Sequence, residues 1–216
     1  MALSWPIPLS GFFEDLPISQ VSFSLGTAQT TSETGGGDVI KHQLGARLWM
    51  GEVQLGATPL SDMAAIEARL ALLEQPGASL LIYDRRKSNP RLDPAGATIA
   101  AASPVIASLS VDGRELALED LPAGYVISQG DMLGFSYGSN PLRRALHRVV
   151  TGATADGTGA TGLFEITPVI RPGAALGATV TLSRPVCKAV ITEAQYGSGR
   201  SLISRGASFA WRQTLR

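Results

Sequence analysis

The sequence predicts a mainly β protein in which one α-helix packs on a sheet. Apolar and polar residues alternate along most of the chain, which is typical of half-buried strands. The composition also favours short strands and many turns, with 24 glycines and 13 prolines in 216 residues. Residues 61–75 alone place apolar residues at spacings of three and four. A lone amphipathic helix has no second helix to cover its apolar stripe, so we expect it to lie on a sheet.

The helix predicted over residues 61–75 has signals at both ends. Ser61 is placed to cap the free amide groups of the first turn, and Asp62 puts negative charge at the positive end of the helix dipole. Pro76 and Gly77 follow the last turn and predict the end of the helix. The apolar stripe consists of Met63, Ile66, Leu70 and Leu73.

Around the helix, the pattern predicts strands and one long loop. Gln20–Leu25 alternates cleanly, and Val39–Leu44 and Ala46–Leu55 are two further strand candidates. The polar segment Thr27–Asp38 contains three consecutive glycines and predicts a mobile loop. Leu80–Tyr83 is apolar on both faces, as expected of a strand that lies between a sheet and a helix.

After the connection Arg85–Ala97, the chain predicts a series of hairpins. Pro104–Leu118 gives the clearest signal, because Asp112-Gly113 suits a type I′ turn between two alternating segments. Two further antiparallel pairs are expected from short turns. They are Tyr125–Ile127 with Met132–Tyr137, and Phe164–Ile170 with Ala178–Ser183.

The remaining segments are less regular. Asn140–Val150 fits a helix or a strand, and we favour the strand because its end is β-branched. Thr151–Gly162 predicts a long hairpin loop, whereas Val186–Thr192 and Ala207–Leu215 predict strands. Met1–Pro17 has no clear period, and an extended arm is one interpretation of it.

Composition and charge exclude several classes of function. The net charge is zero with 17% charged residues, so no overall charge draws the chain to nucleic acid or an anionic membrane, and self-association is favoured. Cys187 is the only cysteine, which excludes an internal disulfide and predicts folding in a reducing cytoplasm. No apolar run approaches the roughly 20 residues of a membrane span, and the first residues lack a signal-peptide pattern.

One catalytic pattern is present, since Gly134-Phe-Ser136-Tyr-Gly138 matches G-x-S-x-G. In a hydrolase of that type the order along the chain is serine, acid, histidine. No acidic residue lies between Ser136 and His147, and no histidine follows His147. We therefore expect a plain strand with flanking glycines, and a hydrolase built on Ser136 stays an alternative that ester turnover would test.

The other reactive side chains lack suitable partners. His42 and His147 have no histidine or cysteine at the spacing of zinc ligands, and Cys187 is expected to be a small buried hydrophobe. Gly157–Gly162 lacks the Gly-Lys-Ser/Thr ending of a phosphate-binding loop. No catalytic, cofactor-binding or metal-ligating residue is therefore predicted.

Two basic clusters, Arg85-Arg86-Lys87 and Arg143-Arg144, are expected to be solvated faces or subunit contacts. A nucleic-acid surface would need interleaved aromatic residues and a net positive charge, and the chain has neither. Asp84 is placed to pair with one of the arginines, a contact that contributes little if it is exposed.

Three segments resemble the first domain of distal tail proteins of long-tailed phages and prophages. They are Leu48–Leu55, the helical segment Ala64–Arg69, and Leu80–Arg85. Those proteins commonly carry a strand LWxGxVxL, a helix EAxxIEA and a strand LYDPR, and Arg85 stands here in place of the usual proline. Residues 121–135 and 163–182 are similar to the small β domain of phage tail-tip proteins.

The resemblance implies a tail-tube-like β-sandwich or split barrel with one packed helix, formed by residues 1–97 and 186–216. A small antiparallel β-barrel-like domain is implied for residues 98–185. The implied function is that of a structural virion protein, with no enzymatic activity and no cofactor. It would be made in the bacterial host cytoplasm and form a ring, commonly a hexamer, at the distal end of a phage tail. The implied partners are the tail tube protein, the tail hub or baseplate proteins and the tape measure protein.

A carbohydrate- or receptor-binding module of a phage tail tip is the alternative function. Such a module needs solvent-facing aromatic side chains on one surface. Trp5, Trp49 and Trp211 lie instead near or within apolar patterns, so the sequence favours the ring component.

Overall fold

A computed structural model describes residues 4–200 and 202–216 of the chain. The protein is mainly β, with 39% strand and 11% helix, and the described residues form a single α-helix, a half-barrel sheet and a nearly closed barrel sheet. The predicted fold class is therefore confirmed.

The helix α1 spans Leu60–Leu73, and short 3-10 helices lie at Leu9–Gly11, Arg85–Lys87 and Ile99–Ala101. The strands are β1 Ile18–Val21, β2 Ser24–Leu25, β3 Gln29–Glu33, β4 Val39–Gln43, β5 Trp49–Leu55, β6 Thr58–Pro59, β7 Leu80–Ile82, β8 Val105–Leu109, β9 Glu115–Glu119, β10 Val126–Ile127, β11 Met132–Tyr137, β12 Arg143–Val149, β13 Ala153–Thr154, β14 Phe164–Thr167, β15 Val180–Thr181, β16 Cys187–Gln195, β17 Ser198–Arg200, β18 Ile203–Arg205 and β19 Ser208–Gln213.

The half-barrel sheet has the strand order β1-β5-β19-β16-β7, with β2 also paired to β5. Every neighbouring pair in it is antiparallel. The predicted packing of α1 on a sheet is confirmed, because three residues of its stripe are buried in the same core as the strands. The largest side chains in this core are Trp49, Trp211, Phe12, Phe13 and Phe209.

The start of α1 differs from the prediction. The helix begins at Leu60 with Pro59 as N-cap, and the Ser61 hydroxyl lies 3.3 Å from the Asp62 carboxylate instead of capping an amide. The prediction that Ser61 caps the first turn of the helix was therefore wrong. Ser61 is the second residue of the helix and therefore lies past the N-cap position. The amide of the first residue, Leu60, donates to the Leu202 carbonyl at 2.9 Å, where β6 pairs with β18. Asp62 lies in the first turn, as predicted.

The predicted strand Gln20–Leu25 is interrupted. β1 ends at Val21 and β2 begins at Ser24, although the pairing with β5 keeps one register from Gln20 to Leu25, after a bulge between Ile18 and Gln20. Between them the backbone comes very close to β5, since a Cβ on Gly51 would lie 2.0 Å from the Ser22 carbonyl oxygen. Phe23 is still buried, as the alternation predicted. The absence of a side chain at Gly51 is what allows the edge strands to approach here.

The second sheet is a nearly closed barrel with the strand order β15-β11-β12-β14-β9-β8. Its ends meet where Val105 bridges Thr179 and the Val180 amide donates to the Pro104 carbonyl at 2.8 Å. Closure of this kind leaves few strand edges open. The strand predicted within Asn140–Val150 is confirmed as β12. The barrel core includes Ile106, Leu116, Leu118, Leu133, Phe135, Val149 and Phe164.

Two of the predicted strand pairs in this region were wrong. β10 pairs with β13 and not with β11, and β14 pairs with β12 and β9 and not with β15. β15 pairs instead with β11. Sequence reasoning favours neighbours joined by short turns, whereas closing a barrel pairs strands that are distant along the chain.

The hairpin β8–β9 is confirmed, but its turn is not type I′. A type I′ turn needs a positive φ at both central residues, and here Gly113 has φ +67° while Asp112 does not have a positive φ. The Asp112 carboxylate instead accepts hydrogen bonds from the Ser110 hydroxyl at 2.7 Å and the Arg114 amide at 3.1 Å. These hydrogen bonds stabilise a conformation of the turn in which Asp112 does not have a positive φ.

The segment predicted as the loop Thr27–Asp38 contains a strand. β3 and β4 pair in five successive positions, from Gln29–Gln43 to Glu33–Val39, and form a hairpin. The loop prediction was wrong because a strand that faces water on both sides has no apolar alternation to reveal it. We call the segment Gln29–Gln43 the projecting hairpin.

Residues 4–17 pack on the half-barrel sheet and do not extend from it as an arm. Ile7 bridges Leu80 of β7 in parallel, and both it and Phe13 are buried in the first core. The Arg85 guanidinium lies over the Phe13 ring and donates to the Phe13 and Glu14 carbonyls at 2.7 and 2.6 Å. The extended-arm interpretation is therefore wrong for these residues, and residues 1–3 lie outside the described part of the chain.

The two sheets meet along a seam centred on Trp49. Its indole Nε1 donates to the Leu146 carbonyl at 2.7 Å, and the Arg148 guanidinium lies 5.0 Å from the centre of one ring. The Gln213 side chain accepts from the Trp49 amide and donates to the Arg144 carbonyl. Leu146 itself packs into the first core, so β12 contributes to both cores.

The strands of the half-barrel sheet come from residues 18–55, 80–82 and 187–213, and those of the barrel from residues 105–181. The strands of the half-barrel sheet fall within the predicted domain 1–97 with 186–216. Those of the barrel fall within the predicted domain 98–185. The division into domains stays a prediction, because the two cores are in contact.

Candidate functional site

The projecting hairpin is highly exposed to solvent on both of its faces. All five residues of β3 and all five of β4 are exposed to solvent. Val39 and Ile40 expose 55% and 57% of their surface. A two-stranded hairpin that is exposed on both faces is marginally stable in water, so its apolar residues and strand edges favour contact with another chain.

A groove of about 350 Å³ opens beside the base of the projecting hairpin, and we call it the basal groove. Arg47 lies on one side, and the barrel segment 167–172 forms the other. Val169 in this segment exposes 51% of its surface. The groove also contains Arg171, and among the described residues neither Arg47 nor Arg171 forms a salt bridge. The groove is therefore apolar along its barrel side and positively charged.

The outer edge of the half-barrel sheet is a second surface suited to association. β1 and β2 pair with β5 on one side, and no described strand pairs with their other side. The opposite edge of the sheet, at β7, is covered by Ile7. An open strand edge is a template for pairing with another chain.

The structure does not bring Ser136 and His147 together. Ser136 is exposed and lies opposite Arg144 in the β11–β12 pair, whereas His147 is buried and lies opposite Leu133. Successive residues of a strand point to opposite faces, so Arg144 and His147 face opposite sides of the barrel wall. The serine of the G-x-S-x-G pattern therefore faces away from the only histidine of the barrel strands.

His147 is buried inside the barrel with one of its ring nitrogens unpartnered. The imidazole stacks on Phe135 with 5.4 Å between ring centres, and Nδ1 lies 2.7 Å from the Pro168 carbonyl oxygen. Because that oxygen can only accept, Nδ1 carries the proton and Nε2 does not, and Nε2 has no hydrogen-bond partner in the described residues. Burial lowers the pKa of His147 to about 4, and the nearby Arg171 also lowers it.

We expect acid to destabilise the protein through His147. Its pKa lies near 6.5 in the unfolded chain and at about 4 in the folded one, so the unfolded state binds the extra proton between these values. Stability is therefore retained above pH 6.5 and falls by about 3 kcal/mol as the pH drops to 4. Urea unfolding between pH 4 and 7.5 measures the effect, and His147→Phe should flatten the profile over this interval. An unchanged profile in that variant would contradict the assignment.

The other reactive residues that the sequence singled out occupy separate places. Cys187 is completely buried in β16, as predicted, and burial raises the pKa of its thiol. His42 lies in the projecting hairpin opposite Thr30. The loop that includes Gly157–Gly162 turns around Asp156, whose carboxylate accepts from backbone amides of its own loop. In the part of the chain that the structure describes, no three His, Cys, Asp or Glu residues are grouped as metal ligands.

The side chains of the cluster Arg85-Arg86-Lys87 form hydrogen bonds and an ion pair within the chain. Arg86 pairs with the buried Asp84 carboxylate at 2.9 Å, and Lys87 donates to the Gly130 carbonyl at 3.0 Å. With Arg85 bound to backbone carbonyls, all three side chains connect segments of the same chain. The predicted pairing of Asp84 with one of these arginines is confirmed, since Arg86 is its partner. The Arg86 side chain still exposes 49% of its surface, and the expectation of a solvated face or subunit contact stays a prediction for this cluster.

The exposed aromatic side chains of the described residues are Trp5 and Tyr196, at 40% and 46%. Trp49 and Trp211 are buried in the first core, as their apolar surroundings predicted. The Tyr196 hydroxyl is bound to the Glu74 carboxylate at 2.5 Å. Within this part of the chain, no observation favours an aromatic sugar-binding surface over an assembly surface.

Sequence reasoning missed the basal groove and the first strand of the projecting hairpin. The groove joins residues near position 47 to residues near position 170, and no pattern in the sequence links them. The β-branched pair Thr30-Thr31 was a signal for the strand, but the polar character of the segment Thr27–Asp38 led to the prediction of a loop.

Neither a scan against protein-family models nor a search of the curated proteins finds a match for this chain. Among the described residues, no helix combines the length and apolar character needed to cross a membrane.

Proposed function

We propose that this chain is a structural component of a phage tail. Several copies form a ring at the distal end of the tail, which joins the tail tube to the tip hub or baseplate. The motif resemblance of Leu48–Leu55, Ala64–Arg69 and Leu80–Arg85 supports this assignment. The fold agrees with it, since one helix packs on a half-barrel sheet beside a nearly closed barrel sheet. A shared fold does not by itself establish a function, so the proposal depends on the exposed surfaces of this protein.

The projecting hairpin is the observation that carries the proposal. Every residue of its two strands is exposed to solvent, including the apolar residues Val39 and Ile40. A neighbouring copy that covers this hairpin removes the exposed apolar surface and stabilises the hairpin. The open edge of β1 and β2 and the zero net charge also favour association between copies.

Contacts between two different surfaces of identical copies are head-to-tail, and they close into a ring when the rotation between copies allows it. The two faces of such a ring are free to contact other components of a tail. We propose the tail tube protein for one face and hub or baseplate proteins for the other, with the tape measure protein as a further partner.

Removal of the projecting hairpin tests the proposal. The Leu44 amide donates to the Ala28 carbonyl at 2.7 Å, so the ends of the hairpin are adjacent and a Gly-Gly link can replace residues 29–43. We expect the wild type to form closed oligomers by native mass spectrometry, and the shortened variant to be monomeric with an unchanged circular dichroism spectrum. Antibody labelling should place the wild-type chain at the distal end of assembled tails.

A wild-type chain that stays monomeric at every concentration and is missing from tail particles would refute the proposal. Clear binding on a glycan array by a monomeric chain would support the receptor-binding alternative in its place.

A further inference from the structure

We propose that the tip of the projecting hairpin of one copy docks in the basal groove of the next copy. This inference rests on the proposed ring function and specifies which two surfaces meet in it. The occupant of the groove is therefore a second copy of this chain.

The two surfaces are complementary in charge. The hairpin carries Glu33 and Asp38 on either side of its turn, and both are exposed. The groove carries Arg47 and Arg171. Within the described ranges, the salt bridges of the chain involve none of these four residues. Neither surface therefore pairs these charges in a salt bridge of its own chain, and complementary charge on two surfaces fixes partner and register.

The two surfaces also match in their apolar residues. Val39 and Ile40 follow Asp38 directly on the hairpin and expose more than half of their surface. Val169 exposes 51% of its surface in the groove. As neighbours in β4, Val39 and Ile40 face opposite sides of the hairpin, so docking would bury one of them against Val169. The charged pairs would surround this contact, which is the arrangement of an apolar centre and a polar rim.

The hairpin cannot fill the groove of its own chain. The groove lies beside Gln43 and Arg47, at the base of the hairpin, whereas Glu33 and Asp38 lie at its tip. A strand rises about 3.3 Å per residue, so a paired ladder of five residues holds the tip on the order of 15 Å from the base. The continuous pairing of β3 with β4 keeps the tip there, so a groove can receive only the tip of another copy.

Charge reversal tests the docking without removing either surface. Arg47→Glu with Arg171→Glu in the groove, or Glu33→Lys with Asp38→Lys on the hairpin, should each weaken self-association at least tenfold in sedimentation experiments. Combining the four substitutions restores opposite charges, so the Kd should return to within about threefold of the wild type. Arg91→Glu with Arg205→Glu, at exposed arginines outside the groove, is the matched control and should leave the Kd unchanged.

Cysteine crosslinking gives an independent readout. Native Cys187 is completely buried, so new cysteines react alone. A mixture of an Asp38→Cys chain and a Val169→Cys chain should give crosslinked dimers with a short bismaleimide. The control mixture of Asp38→Cys with Leu163→Cys, an exposed barrel residue outside the groove lining, should give none.

The outcomes separate this inference from the proposed function. Rings that persist with unchanged Kd in both reversed variants, and equal crosslinking in the two mixtures, overturn the docking but leave the ring function in place. A wild-type chain that never associates overturns both. Loss of association in each reversed variant, with rescue in the combined variant, supports the docking.

Discussion

Replacing Trp49 by alanine is expected to lower the free energy of unfolding by about 4 to 5 kcal/mol. Trp49 is completely buried, and truncation of a buried tryptophan costs about 3 to 5 kcal/mol through lost contacts and the remaining cavity. The substitution also leaves the Leu146 carbonyl without its donor and removes the ring under Arg148. Urea unfolding followed by circular dichroism measures the change.

Two phenylalanine variants isolate the contribution of the seam. Trp49→Phe keeps most of the side chain but removes the Nε1 donor to the Leu146 carbonyl. Trp211→Phe makes the same change at a site that is equally buried, where the indole nitrogen has no hydrogen-bond partner in the described residues. Trp49→Phe should therefore cost about 1 kcal/mol more than Trp211→Phe. Equal costs would show that the hydrogen bond between the two sheets contributes nothing to stability.

Gly51→Ala is expected to cost about 3 to 4 kcal/mol, although it adds only one methyl group. The new Cβ would lie 2.0 Å from the Ser22 carbonyl oxygen, so the β1–β2 edge has to move away from β5. Overpacking costs about 1 to 3 kcal/mol. The movement also breaks hydrogen bonds, such as the one from the Ser22 amide to the Glu52 carbonyl at 2.8 Å, at about 1 kcal/mol each.

Gly45→Ala is the matched control for Gly51→Ala. A Cβ at Gly45 would have no atom within 4 Å, and its φ is not in the left-handed region. We expect a change within about 0.5 kcal/mol, measured by the same urea unfolding. A Gly51→Ala variant that is as stable as this control would contradict the close approach of the two strands.

Local patterns predicted the elements whose side chains face a single core. The α1 stripe and the alternation of β5 and β19 each mark one buried face, and the structure buries those faces. Leu80–Tyr83 was predicted to be a covered strand because it is apolar on both faces, and Leu80, Ile82 and Tyr83 are buried while Leu81 is half-buried. Cys187 was predicted to be a small buried hydrophobe, and it is buried. These predictions need no knowledge of which strand lies next to which.

The candidate site was predictable only in part. The resemblance implied an assembling protein, and Thr27–Asp38 was expected to be a loop next to the strand candidate Val39–Leu44. Neither the hairpin form of this segment nor the basal groove follows from a local pattern, because the first faces water and the second is built from two distant segments. Burial of His147 was equally hidden, since a histidine in an alternating strand does not reveal its face.

Local sequence patterns were enough to show that this protein is mainly β, that one helix covers a sheet, and which face of each of these elements is buried. They could do so because burial of one face leaves a period of two or three to four along the chain. The folded protein was needed to identify the strand neighbours of the barrel, the packing of residues 4–17 under Arg85, and the groove between residues 47 and 171. Those contacts join segments far apart in the chain, and pairing across such distances is set by closure of the sheets rather than by any local period.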